Sequence, residues 1–191
     1  MPGRPKSSLL SGTDKPDFLD GKEGNDKVHG LGAKDTLIGG LGSDVIYGGP
    51  GDDFLKGNSD VDHDTSKDVL YGEPGNDQLN DINGGDDVFY GGDGDDAPLI
   101  GGKGEDVMYG GAGNDELDEA SVDRQQRDKL YCGEGKDSYA ADKMDYVSSS
   151  CEKNIKYLRI IGQWEGRNLD RLRLLAVGWT SENPTYQQLG E

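Results

Sequence analysis

The chain has 191 residues, of which only 31% are hydrophobic, while glycine alone supplies 32. A conventional layered core is hard to build from that composition, and a formal net charge of −18 argues against nucleic acid and anionic membrane surfaces as partners. No apolar run approaches the ~20 residues needed to span a membrane, which leaves either an acidic disordered tail or an acidic scaffold neutralised by cations.

Residues 1–11 read as an N-terminal tail. The opening "MPGRPKSSLLSG" is basic but lacks the long apolar stretch of a secretory signal. From residue 12 a nine-residue period takes over, which decides for the scaffold. "GGPGDD" (48–53) recurs as "GGDGDD" (91–96) and "GGAGND" (110–115). The aspartates that close such turns are Asp17, Asp26, Asp35, Asp44, Asp53, Asp68, Asp77, Asp87, Asp96, Asp106, Asp115, Asp128, Asp137 and Asp145. Two places after almost every one stands an apolar residue, from Leu19 and Val28 to Tyr139 and Val147; after Asp96 the slot slips to Leu99. The repeat is therefore G-G-x-G-x-D-x-U-x, with U apolar. Its six-residue half is a turn, where glycine allows positive φ. Its three-residue half is a short strand with one side chain inward. Two units make a coil of about eighteen residues, and stacked coils form two parallel sheets about 4.8 Å per step around a thin core of U residues. About seven coils fit between Gly12 and Ser148.

A two-unit coil implies that alternate repeats differ. With Asp17 as the first mark, every step from an even to an odd mark is nine residues, whereas odd-to-even steps vary and include 15 residues from Asp53 and 13 from Asp115. Insertions thus collect on one edge. Even strands read Val-Ile-Tyr (45–47), Val-Leu-Tyr (69–71), Val-Phe-Tyr (88–90) and Val-Met-Tyr (107–109), so their Val and Tyr stack into outward ladders. These ladders are either a face for self-association or a stabilising stack. The insertion "NSDVDHDTSKD" (58–68) is a solvated acidic loop or an extra ion site using Asp60, Asp62 and Asp64. Cys132 and Cys151 lie nineteen residues apart, about one coil, which places their Cα atoms near the ~5.5 Å that a disulfide prefers. Residues 149–191 read as a C-terminal cap or tail. Within them "NLDRLRLLAVGW" (168–179) has the pattern of a short amphipathic helix starting near Asn168.

Stacked turns set aspartate above aspartate at roughly 5 Å, which repels unless a cation intervenes. Ca²⁺ takes six to eight oxygens from carboxylates and carbonyls at ~2.3–2.6 Å, Mg²⁺ demands stricter octahedra, and soft metals want His or Cys, which the turns lack. The candidate ligands are Asp26, Asp35, Asp44, Asp53, Asp77, Asp96, Asp106, Asp115 and Asp137. The turns closed by Asp68, Asp87 and Asp128 lack the glycine pattern, so the reading favours a near-continuous row of ions on the odd edge and a sparse, mainly N-terminal set on the even edge. No nucleophile–base pair, phosphate loop or zinc motif is visible, and the chain is read as not an enzyme.

At these residues, roughly Gly12 to Ser148, the chain resembles the RTX family, whose nonapeptide this is. The resemblance implies an all-β fold: a right-handed parallel β-roll of two short-strand sheets, with a small C-terminal tail, helical or irregular. It also implies a secreted bacterial protein holding several Ca²⁺ ions between turns two repeats apart, through turn aspartates and backbone carbonyls. Such a roll folds on binding calcium and serves secretion or display of an attached domain. The alternatives are a C-terminal fragment of a larger secreted enzyme or toxin, and a stand-alone adhesive surface module.

Overall fold

The computed structural model describes residues 6–58, 64–119 and 126–154. Each inward slot that the repeat marks lies in a short strand, and successive strands alternate between two sheets. One sheet holds β1 (Leu9–Ser11), β3 (Lys27–His29), β5 (Val45–Tyr47), β7 (Val69–Pro74), β9 (Val88–Asp93), β11 (Val107–Ala112), β13 (Lys129–Glu134) and β15 (Tyr146–Val147). The other holds β2 (Phe18–Asp20), β4 (Thr36–Gly40), β6 (Phe54–Asn58), β8 (Gln78–Asn80), β10 (Leu99–Ile100), β12 (Glu116–Asp118), β14 (Ser138–Ala140) and β16 (Lys153–Asn154). Every strand pairs in parallel with the strand one coil before or after it, so the chain winds as an all-β parallel solenoid of about seven turns. Among the described residues there is no helix. The helix expected at 168–179 lies outside them, as do Asp60, Asp62 and His63.

The register follows from the single inward residue per strand. A slip of one place would turn that residue out to water. In one sheet Val28, Ile46, Leu70, Phe89, Met108 and Leu130 pair in succession. In the other the row is Leu19, Leu37, Leu55, Leu79, Leu99, Leu117 and Tyr139. Leu99 takes its expected place despite the slipped spacing: one extra residue is accommodated between Asp96 and the strand. From Val28 to Leu130 these side chains are wholly buried, whereas Leu10, Leu19, Tyr139 and Val147 are only partly so. Leu10, Leu19 and Val147 lie in β1, β2 and β15, which among the described residues have a neighbouring strand on one side only, and Tyr139 lies one strand in, in β14, whose outer neighbour is the two-residue strand β16. Each enclosed aliphatic side chain contributes about 1.5–3 kcal/mol, so a core one residue thick still adds up along the stack.

Outside, the tyrosines stack as the alternation implies. His29, Tyr47, Tyr71, Tyr90, Tyr109 and Tyr131 lie ring on ring, with centroids 4.7–4.9 Å apart and planes within 9° of parallel. Tyr146 closes the row at a tilt of 48°. A disulfide joins Cys132 in β13 to Cys151 with a Cα–Cα distance of 5.0 Å. Strands β1 and β16 carry the two sheets slightly beyond the 12–148 stretch marked by the repeat.

Candidate metal centre at the stacked turns

Each coil carries two turns, one at each edge of the sheets, and each turn ends in an aspartate that the following strand holds in register. All nine candidate ligands, Asp26, Asp35, Asp44, Asp53, Asp77, Asp96, Asp106, Asp115 and Asp137, are buried, at no more than 3% exposure. Their two oxygens have different surroundings. Oδ1 accepts a hydrogen bond from the backbone N–H of the aspartate one coil earlier, or, for Asp26 in the first coil, from that of Ser8. On the odd edge the N–H groups of Asp17, Asp35, Asp53, Asp77, Asp96 and Asp115 donate in turn to Asp35, Asp53, Asp77, Asp96, Asp115 and Asp137 at 2.7–3.0 Å. On the even edge the chain of donors runs Asp26, Asp44, Asp68, Asp87 and Asp106 at 2.6–2.9 Å, and ends with Asp128 donating to Asp145 at 3.3 Å.

Oδ2 has no hydrogen-bond partner in Asp26, Asp35, Asp44, Asp53, Asp68, Asp77, Asp87, Asp96, Asp106, Asp115 or Asp137. In Asp26, Asp35, Asp44, Asp53, Asp77, Asp96 and Asp115 it faces the first glycine of its own turn and a carbonyl oxygen of the next coil. A Cβ placed on Gly30 would meet both Asp35 Oδ2 and the Gly48 carbonyl oxygen inside 3.0 Å; one on Gly91 would meet Asp96 Oδ2 and the Gly110 carbonyl in the same way. A side chain at this position would fill the space into which the unsatisfied oxygens converge. The glycine therefore does more than permit a turn: it leaves an oxygen-lined gap between coils. Later in the turn, Gly94 has φ +137° and lies against the Gly75 carbonyl of the preceding coil, a backbone that an L-residue adopts only with strain.

The electrostatics describe the same gap. Burial pushes the carboxyls of Asp44, Asp77, Asp96 and Asp106 up to about 7 and those of Asp53 and Asp115 up to about 6, and neighbouring carboxylates add to the rise. Asp35 is also raised, chiefly by burial. A desolvated carboxylate ladder is unfavourable without compensating positive charge. The donors offered are oxygens alone, the set that a hard divalent cation such as Ca²⁺ takes. His29 stands in the ring stack, away from this chemistry.

The aspartate ladders do not separate the edges as the glycine pattern suggests. Asp68, Asp87 and Asp128 sit in the same buried, stacked position as their neighbours, because strand register sets the ladder and turn composition does not. Two acids that the sequence reading passed over join them. Carboxylate oxygens of Asp68, Asp81 and Asp87 lie within 4.8 Å of one another, as do those of Asp106, Glu119 and Asp128. The signal was present: Asp81 and Glu119 come two places after Leu79 and Leu117, the slot filled elsewhere on this edge by Gly21, Gly39, Gly57 and Gly101. Asp64 instead accepts the N–H of Gly42 at 2.8 Å and that of Ser66 at 3.0 Å, tying the end of the insertion to a neighbouring turn.

The family model for the RTX calcium-binding nonapeptide repeat (four copies) matches residues 11–46, 29–63, 64–80, 83–97 and 99–118. No curated protein and no solved structure gives a match.

Proposed function

The chain belongs to the RTX calcium-binding nonapeptide-repeat family, and from that premise we propose that it is a secreted β-roll that binds several calcium ions between stacked turns and completes its folding on binding them. The observation that carries this reading is the row of buried, unpartnered Oδ2 atoms, which in the regular turns face a carbonyl oxygen of the adjacent coil. Asp26, Asp35, Asp44, Asp53, Asp77, Asp96, Asp106, Asp115 and Asp137 would supply the carboxylates, and glycine carbonyls of the same turns the remaining protein oxygens. Bound calcium supplies the positive charge that lets carboxylates at inter-strand spacing stay ionised while buried. The aspartates' own part is to hold one oxygen on the ladder and leave the other free for the ion.

Because the gap exists only when two coils are stacked, binding free energy becomes folding free energy. The RTX roll is a structural calcium-binding module rather than a catalytic fold, and we read this chain as non-catalytic. Secretion accords with the family and with the Cys132–Cys151 bridge, since disulfides persist in oxidising surroundings. Circular dichroism along a titration from chelator to millimolar calcium tests the proposal. A largely disordered spectrum that gains β signal is expected; a spectrum unchanged across the titration would refute calcium-coupled folding.

A further inference from the structure

The irregular turns of the even edge hold a different chemistry from the rest. In an ordinary turn the first residue is glycine, and its carbonyl oxygen faces the Oδ2 of the aspartate one coil earlier, as the Gly57 carbonyl faces Asp44 Oδ2 beside Gly39. Where Asp81 and Glu119 replace that glycine, a side-chain carboxylate takes the place of the carbonyl. A Cβ on Gly57 would meet Asp81 Oδ2 and Asp68 Oδ2, and one on Gly101 would meet Glu119 Oε1 and Asp106 Oδ2, all inside 3.0 Å. Each replacement therefore adds a negative charge at the spot where the ordinary turn offers a neutral dipole.

The two acids are held differently. Glu119 is 4% exposed, and both of its carboxylate oxygens lack a hydrogen-bond partner. The charged groups that act on it are carboxylates: Asp106, Asp128, Asp145 and Asp87. Three mutually close carboxylates, one of them buried with nothing to bond, describe a cavity lined for a cation. Asp81 is fully buried as well and is oriented by the Asn58 side-chain amide, which donates to both of its oxygens at 2.8–2.9 Å. Asp68 and Asp87, its partners in the cluster, each keep an unpartnered Oδ2.

We propose that Asp68–Asp81–Asp87 and Asp106–Glu119–Asp128 are two cation sites of a second kind, each with three carboxylates around one calcium ion, and that they hold calcium more tightly than the two-carboxylate sites of the regular turns. Affinity for Ca²⁺ is tuned by the number of charged ligands and the rigidity of the site. Here the third carboxylate comes from a rigid position at the end of a strand. The turns that look degenerate as repeats are on this argument the first to fill and the last to empty. The inference rests on the calcium reading above.

The test is calcium stoichiometry of the whole chain under graded chelator competition. The wild type is expected to retain two ions at free calcium where the remainder have left. The pair Asp81→Asn with Glu119→Gln should release them at least about tenfold more readily, which corresponds to ~1.4 kcal/mol per site, while the weaker class stays in place. A second pair, Asp81→Gly with Glu119→Gly, restores the repeat residue and guards against loss through misfolding, with folding at saturating calcium checked by circular dichroism. This folded variant should show a single uniform class. Two tight ions retained in it would overturn the inference and leave calcium binding standing. A wild type that binds no calcium at any concentration would instead remove the underlying reading.

Discussion

At the scale of one residue, a turn aspartate does two jobs with two oxygens. Oδ1 of Asp96 accepts the buried N–H of Asp77, and Oδ2 has no hydrogen-bond partner, which on the proposed reading leaves it for an ion. The two jobs separate by mutation. Asp96→Asn keeps an oxygen on the ladder and removes charge, so it should raise the calcium midpoint for folding with little other effect. Asp96→Ala also strands the Asp77 N–H, a further cost of ~1–3 kcal/mol, and should shift the midpoint more. Equal midpoints for the two variants, read by circular dichroism, would show that the ladder bond contributes nothing. Protons compete for the same oxygens. Because burial raises these carboxyls to about 6–7 in the ion-free fold, the folded chain binds more protons than the unfolded one between about pH 4, near the ordinary Asp value, and pH 7. The ion-free roll therefore loses stability as pH rises through that window. In chelator, more β signal is expected at pH 5 than at pH 8. In calcium the order reverses, with the midpoint moving to higher calcium as pH falls.

At the scale of the element, the strands were legible because one apolar residue per repeat fixes both position and register. Leu99 was found even across an irregular step, and its pairing with Leu79 and Leu117 follows from its being the sole candidate to fill that layer. The lengths of the strands were less legible. β7, β9, β11 and β13 run six residues, into the glycines of the odd turns, since identical turns stacked in register extend the ladder through backbone that carries no strand signal. The same logic explains why Asp81 and Glu119 were missed. They break the glycine pattern, and only their stacking between coils reveals them as oxygen donors. The disulfide was readable from spacing because a coil has a nearly fixed length in residues. It closes a loop across the last coils, where the inward Tyr139 and Val147 are only partly buried, and is worth about 3 kcal/mol on the loop-entropy view. Thiol titration of the denatured, unreduced protein should find no free thiol, and reduction should raise the calcium midpoint.

At the scale of the whole molecule, every hydrogen bond of the aspartate ladders joins residues 17 to 24 positions apart. Among the described residues no strand pairs with one from the far end of the chain. Averaged over 191 residues, such separations give a relative contact order of about 0.1, the range of helical bundles rather than of β-sandwiches. An all-β protein of this kind has short loops to close and no large entropic barrier to cross before contacts repay it. If calcium triggers folding as proposed, growth of the stack is a sequence of small local steps. A rapid jump from chelator to calcium, followed by stopped-flow fluorescence of the stacked tyrosines, should show the main phase complete within milliseconds; a main phase lasting seconds would mean that something other than coil-on-coil addition limits the rate.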